Sequence, residues 1–369
     1  MRTASTILGA GVLGTMIEAV STILDDCWDA NKSNANTLYY LQEAIKASDT
    51  GSVRTLEQGE ISTMIERGTY WDNNQMTVTF DSEQPNYNYV REGPPREYMY
   101  PYSCSRDGIQ FTRMQIEFLA NSPNRRYDLI QTEFNAKMKG FMTWQNRQIL
   151  FAPGAPALGT GAYVPAFDIW DIYGARQILN NATLYYNVAR PGTGELWCTN
   201  TAGTVVGANG LYPQISRWQS AARNNNEPVP TILVAPEWSR QNFISEMQNV
   251  YASAAAGVRQ VFATQDNNNL RFRFDGVDFM EWGNEFGVIF EPLMPGGGAQ
   301  AVNNEFLFIN PNYVDVKYLP GRDFAFDPFD KGGMANPNVY FTNIYLGWVV
   351  HWKVPKAHQR HTGVTLPAV

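Results

Sequence analysis

The spacing of apolar positions changes several times along this chain, and each change predicts a different element. Met16/Ile17, Val20, Ile23/Leu24 and Cys27/Trp28 recur every three to four residues, as one face of a helix does. Leu38, Leu41 and Ile45 repeat that spacing after the polar turn "NKSNAN", so residues 1–50 predict two short helices. From about Gly68 the period falls to two. Met76, Val78 and Phe80 alternate in "QMTVTF", Tyr87 and Tyr89 in "NYNYV", and the turn mixture "DSEQPN" separates them. This predicts a β-hairpin with no evident core of its own. "REGPPREYMYPYS" reads as irregular returning chain, and Met114, Ile116 and Phe118 as a strand.

The clearest helical pattern follows. Ser122 is placed to cap, Pro123 occupies the first helical position, and Ile130, Phe134, Met138, Phe141/Met142 and Ile149 form one stripe. A helix over about 123–150 is roughly 42 Å long at 1.5 Å per residue. Gly140 is a weak point within it. "FAPGAPALGTGAY" reads as a loop, and residues 165–225 give a mixed pattern. Thr231–Ala235 predicts a strand, after which Pro236 opens a helix with Phe243/Ile244, Met247 and Val250/Tyr251 inward. "LRFRF", "FGVIFEPLMP", "NEFLFIN" and "YVDVKYL" predict further strands. Last, Ile344, Leu346, Trp348, Val350, Trp352 and Val354 fill every second position of a strand about 36 Å long that Pro355 ends. No internal repeat and no clean linker divides the chain.

The 369 residues include 44% hydrophobic and 13% aromatic side chains, enough for a sizeable core. Only 17% are charged, and Asn, Gln, Ser and Thr supply the polarity instead, which suits surfaces covered by other proteins or by sugars. A net charge of −7 argues against broad binding to nucleic-acid phosphates. Cys27, Cys104 and Cys198 are too few and too scattered for a disulfide framework or a zinc cluster, and read as reduced, packed thiols. No apolar run reaches the length of a membrane span. The run Ile7 to Ile17 resembles the core of a signal peptide, but Glu18 follows and no small-residue cleavage site does, so cytoplasmic synthesis without targeting is expected.

Candidate chemistry is sparse. Gly9, Gly11 and Gly14 spell the G-x-G-x-x-G of a dinucleotide turn. That turn needs a strand and an acid about 20 residues on. Here a helical pattern continues to Trp28 and puts Asp25 and Asp26 on the helix, so the glycines read as a lead-in to it. The three histidines lie together near the end. His358-x-x-His361 has no acid or cysteine close by, and solvated or interface histidines are the default reading for His351, His358 and His361. Glu281 and Glu285 beside Trp282, and Asp168 and Asp171 around Trp170, are acid pairs of the kind a glycosidase sets near sugar-stacking aromatics. The basic tail "HWKVPKAHQRH" reads as a solvated or interface end. No catalytic, cofactor-binding or metal-binding residue is assigned.

The order of these elements resembles the major capsid proteins of tailed bacteriophages, whose Johnson fold is shared with encapsulins and the floor domain of herpesvirus capsids. The resemblance runs through "LVAPEWSRQNFISEM", "FGVIFEPLMP", "FLFINPNYVDVKYLPGRDF" and the closing strand, and it rests on order, not on any one motif. It implies an α+β fold with an N-terminal arm (1–67) and an extended E-loop hairpin (68–107). A peripheral domain (108–157 and 336–369) would hold a spine helix at about 123–150 and a return strand at about 344–354, and an axial domain would span 158–335. It implies a non-enzymatic subunit that assembles with itself into hexamers and pentamers of an icosahedral virion head around double-stranded DNA, built in the bacterial cytoplasm, with no cofactor and no membrane. A separate scaffolding protein, a portal and a cement protein are its implied partners. An arm and a hairpin without cores fit burial by neighbouring copies, and negative charge limits adhesion to DNA that must later leave. Some family members weld their shells through an E-loop lysine. Residues 47–136 contain no lysine, so a shell without such bonds is expected. A carbohydrate-active or carbohydrate-binding β-rich protein remains the alternative, from the acid pairs and the Trp, Tyr and Asn content; an NAD enzyme would rest on the glycines alone.

Overall fold

The computed structural model describes residues 36–58, 60, 65–70, 96–112, 114–115, 123–152, 172–186, 188–190, 196–206, 210–224, 228–243, 245, 261–266, 269–274, 288–295, 304–326, 330–331 and 339–366. In chain order its helices are α1 (Asn36–Lys46), α2 (Pro123–Phe151), α3 (Ala175–Ile178) and α4 (Leu211–Asn224). Its strands are β1 (Ser52–Thr55), β2 (Ile65–Tyr70), β3 (Arg96–Pro101), β4 (Ser103–Thr112), β5 (Thr199–Ala202), β6 (Ile232–Pro236), β7 (Val261–Asp266) and β8 (Asn269–Phe274), then β9 (Val288–Glu291), β10 (Asn304–Ile309), β11 (Val314–Tyr318), β12 (Ala325–Phe326), β13 (Asp330–Lys331), β14 (Val339–Trp352) and β15 (Gln359–Val364).

The closing strand organises the first sheet. β14 pairs with β4 along one edge from Val339↔Thr112 to Trp348↔Ser103. Along its other edge it pairs with β13, β12 and β11 in turn, and β11 carries β1 in parallel beyond it. The period-two pattern holds, since Ile344, Leu346, Trp348, Val350 and Trp352 are all buried. From Gly347 to Trp352 both faces are covered, which includes His351. The strand runs 339–352, not about 344–354: its start is extended by β4 and β13, and the Lys353 amide turns away to the Tyr313 carbonyl. α2 lies over this sheet, burying Phe134, Met138, Phe141, Met142 and Ile149 with it in one core.

The second sheet has the order β5-β15-β10-β6-β9-β8-β7. α4 packs on it through Leu211, Ile215 and Trp218, spaced four and three apart, against Leu233, Phe306, Phe308 and Val364. Two neighbouring segments carry the chain between the sheets. β10 passes into β11 through a short 3-10 turn at Pro311–Tyr313, and β14 passes into β15 through another at Pro355–Ala357. His358 joins them, its Nδ1 accepting the Asn310 amide at 3.1 Å.

Several expectations change here. "REYMYPYS" is not irregular: it forms β3 and the start of β4, because Tyr98, Tyr100 and Tyr102 alternate into the core. Met114 is not in a strand. β4 stops at Thr112, where the Gln115 side chain takes the Thr112 amide and hydroxyl, and Met114 is exposed. Pro236 closes β6, and a 3-10 turn (Glu237–Ser239) leads into helical residues 240–243. Segment 36–56 is not a coreless arm, since Leu38, Leu41, Ile45 and Leu56 are buried in the chain's own core and β1 joins the first sheet. β11, β12 and β13 pair with β14, and β15 pairs within the second sheet. The tail is a central strand, not a solvated end. The glycines at 9, 11 and 14, the first predicted helix, "QMTVTF", "NYNYV" and both acid pairs lie outside the described residues.

Candidate functional site

The feature that concentrates buried polar chemistry is the root of the β2–β3 hairpin. The two strands pair antiparallel from Ile65↔Pro101 to Tyr70↔Arg96, with Gly68 opposite Tyr98. A Cβ at Gly68 would lie 2.1 Å from the Tyr98 ring, so only glycine lets that ring cross the hairpin. Tyr98 then stacks on Tyr186 at 5.2 Å and meets Tyr185 edge-on at 4.9 Å. Tyr186 sits at φ 42°, in the left-handed region that bulky residues seldom adopt, and this turns two adjacent tyrosines onto one ring. Their hydroxyls lock onto the closing strand. Tyr185 donates to the Trp352 carbonyl at 2.6 Å, and the Tyr186 hydroxyl accepts the Trp352 amide at 2.9 Å.

The polar groups of the root converge from three elements. Glu66 of β2 accepts hydrogen bonds from Tyr100 Oη at 2.7 Å and from Tyr102 Oη, and it pairs with Lys317 of β11. Tyr98 Oη lies 2.5 Å from His351 Nε2, and Tyr100 stacks on the His351 ring at 4.3 Å. Burial, with the charges of Lys317 and Lys353 adding to it, pushes the His351 imidazole down to about 3. It is neutral near pH 7, so one ring nitrogen carries the proton and the other accepts; Nε2 shares a hydrogen bond with Tyr98 Oη and Nδ1 lies 3.9 Å from Asp315. Asp315 does not charge it, being paired with Lys353 at 2.9 Å. Burial also holds the Tyr185 and Tyr186 hydroxyls well above their usual range, and burial plus the Glu66 carboxylate does the same for Tyr100. Such hydroxyls donate hydrogen bonds and do not ionise. The arrangement is a hydrogen-bonded joint of neutral rings set between two carboxylate–ammonium pairs, Glu66–Lys317 and Asp315–Lys353.

The other two histidines are also buried, not solvated. Burial pushes each down to about 3; His361 lies against Trp218 at 4.0 Å with its Nδ1 2.5 Å from Thr201 Oγ1. Neither is set beside a metal-binding group, and among the described residues no cluster of three His, Cys, Asp or Glu side chains is poised to hold a metal. Cys198 is buried, its thiol pushed up to about 11. A second ionic joint stands where the second sheet meets α3: Glu305 of β10 takes Arg176 at 2.9 Å and Arg360 at 2.8 Å. The sequence reading missed the tyrosine root. The alternation of Tyr98, Tyr100 and Tyr102 was its signal, hidden by Pro94, Pro95 and Pro101.

No protein-family model and no curated protein sequence matches the chain. Solved structures do. The bacteriophage PhiM1 mature capsid matches at 11% identity over 86% of each chain with a TM-score of 0.46, and an encapsulin complex from Synechococcus elongatus at 12% over 85% of each with 0.46. A chain of the cyanophage A-1(L) capsid asymmetric unit matches at 10% identity, over 87% of this chain and 91% of that one, with a TM-score of 0.56. At that identity the likeness speaks for the backbone alone, and over that span it gives this chain the fold of a phage capsid chain, the Johnson fold that its sequence resembles.

Proposed function

We propose that this protein is a major capsid subunit of a tailed-phage head, assembling with itself into hexamers and pentamers of an icosahedral shell around double-stranded DNA. The observation that carries the reading is the backbone likeness to a cyanophage capsid chain across almost the whole length. In that reading the β2–β3 hairpin is the base of the E-loop and α2 is the spine helix. The first sheet with α2 forms the peripheral domain and the second sheet with α4 the axial domain. The buried root then serves as the fixed seat of an E-loop that meets a neighbouring copy. Scaffold, portal and cement proteins would be separate partners, and the net charge of −7 suits loose contact with DNA. The virion is its place, after assembly in the host cytoplasm. No catalytic role is assigned. The carbohydrate reading gains nothing, since its acid pairs lie outside the described residues.

The test is assembly. Purified protein, alone and with co-expressed scaffold candidates, is followed by light scattering and negative-stain microscopy. Shells or five- and six-membered rings support the proposal. A strict monomer of 41.5 kDa under all these conditions overturns it.

A further inference from the structure

One face of the first sheet carries α2, and the opposite face of β14 is covered only from Gly347 onward. Before that point it is open. Phe341 of β14 is 37% exposed, Asn343 and Tyr345 are half-buried, and alternate residues of β4 from Cys104 to Thr112 are exposed. The ladder sets Gln110 opposite Phe341, Arg106 opposite Tyr345 and Cys104 opposite Gly347, so these positions share one surface.

The positive charge on this surface is uncompensated. Arg106 is exposed, and among the described residues its guanidinium has no ion pair and no hydrogen bond. Arg322 is exposed and likewise without an ion pair, and its guanidinium carbon lies 5.5 Å from the centre of the Tyr345 ring. The Arg322 carbonyl accepts the Gly347 amide at 2.7 Å, which fixes its backbone at the edge of β14 away from β4. From there its charge reaches across to β4: burial pushes the Cys104 thiol up, and Arg322 pulls it part of the way back. The two guanidinium groups therefore flank Tyr345 from opposite edges of β14. The acids next to them in sequence are engaged elsewhere. Asp107 turns to the α2 side and holds Lys137 at 2.8 Å. Asp323 accepts from Thr55 Oγ1 at 2.9 Å, on β1 beyond β11. No residue of β4 or β14 at the open positions is acidic, and Asp330 of β13 pairs with Phe341, about 13 Å along β14 from Tyr345.

This surface suits an acidic peptide better than a nucleic acid. Two cations neutralise only two phosphates, and they do so on a chain of net charge −7. A guanidinium fork matches one carboxylate, and stacking on a ring holds it ready to pair. Alternate residues of an extended peptide lie on one side about 7 Å apart, so two acids of one strand reach both groups. We propose that this open face docks an extended acidic segment of another protein, whose carboxylates pair with Arg106 and Arg322 around Tyr345.

Fluorescence anisotropy with labelled hexaglutamate, at low ionic strength and on the full-length protein, tests this. Hexaglutamate should bind saturably and hexaglutamine should not. Arg106→Gln with Arg322→Gln should weaken the binding about ten-fold. Arg67→Gln, at an exposed arginine already 3.6 Å from Glu97, should leave it unchanged. Bound hexaglutamate should also slow alkylation of Cys104 by iodoacetamide in the parent and not in the double variant, with buried Cys198 as the internal reference. Both substituted side chains are exposed, so urea midpoints equal to the parent's separate lost binding from lost folding. No saturable binding, no protection of Cys104 in the parent, or equal binding by parent and double variant overturns the proposal. Equal or tighter binding of a six-nucleotide single-stranded DNA, lost in the same double variant, overturns the choice of a peptide. None of these readouts depends on whether shells form.

Discussion

The Tyr98 hydroxyl lies 2.5 Å from His351 Nε2, and this contact ties the root of the hairpin to the closing strand of the first sheet. Both residues are buried, so neither polar atom has water to fall back on. Tyr98→Phe keeps the ring stacking but leaves the imidazole nitrogen unsatisfied. It is expected to destabilise the fold by about 1–3 kcal/mol. Tyr98→Ala, which also empties the space between Tyr185 and Tyr186, is expected to cost about 3–5 kcal/mol. Urea unfolding of the three proteins checks this, and equal midpoints for Tyr98→Phe and the parent would contradict it.

The buried histidines set a pH dependence. His351, His358 and His361 are pushed down to about 3 when folded, from an ordinary value near 6.5. An unfolded chain therefore binds more protons than the folded one between these values. Their contribution to stability is complete above about pH 6.5 and is lost as the pH falls toward 3. The limiting slope is about 1.4 kcal/mol per pH unit for each histidine. Urea midpoints should fall steeply from pH 6.5 to 5.0, a window above the ordinary range of carboxylates. A flat profile there would contradict the burial of the three rings.

Glu305 is buried between Arg176 and Arg360. Glu305→Gln keeps the shape and removes the charge, leaving two guanidinium groups facing each other at the junction of the second sheet and α3. Arg360 is nearly covered, whereas Arg176 is 37% exposed and screened by water. The expected loss is therefore about 2–4 kcal/mol, toward the lower end for a broken buried pair. Removing Arg360 as well should recover part of it. A double-mutant cycle with no coupling would show that the contact does not carry the junction.

What could be read from the sequence was what a single period declares. β14 and α2 each repeat one spacing for more than ten residues, so their existence and faces were plain. β6 and β8 to β11 followed the same way, and β7 did not. What escaped depends on contacts distant in sequence. β15 has polar residues at its centre, and His361 is buried there only because Trp218, 143 positions away by subtraction, lies on its face. α4 falls within residues 165–225, whose pattern reads as mixed, although Leu211, Ile215 and Trp218 mark one stripe. In the site, Glu66, Lys317 and His351 come from three strands, and no local pattern links them. Only the tyrosine alternation was local, and three prolines obscured it.

Two glycines should respond oppositely to alanine. At Gly68 the added methyl would meet the Tyr98 ring at 2.1 Å, and Tyr98 is hemmed in by Tyr185, Tyr186 and His351. Gly68→Ala should destabilise by about 1–3 kcal/mol through overpacking. At Gly140, on the exposed face of α2, a Cβ meets nothing within 4 Å, and its backbone is helical. Gly140→Ala should stabilise by about 0.5–1 kcal/mol. Thermal unfolding of both variants reads the signs directly, and a shift in the same direction for both would refute the account of the hairpin root.

The last prediction concerns the assembled shell and rests on the proposed capsid role. A covalent bond between subunits of the lysine–asparagine kind needs a lysine amine carried on the reaching hairpin. No lysine occurs between Lys46 and Lys137, so the whole hairpin lacks one. Lys137 itself is on α2 and is held by Asp107 of β4 at 2.8 Å, on the same chain. The lysine at the hairpin root, Lys317, is held within the chain by Glu66. Neighbouring subunits must then be joined by buried non-covalent contacts, with or without an added cement protein. Mature particles boiled in detergent should give a single band at the mass of one chain, 41.5 kDa. A ladder of multiples that survives boiling and reduction would contradict this, and would require a donor amine outside the hairpin.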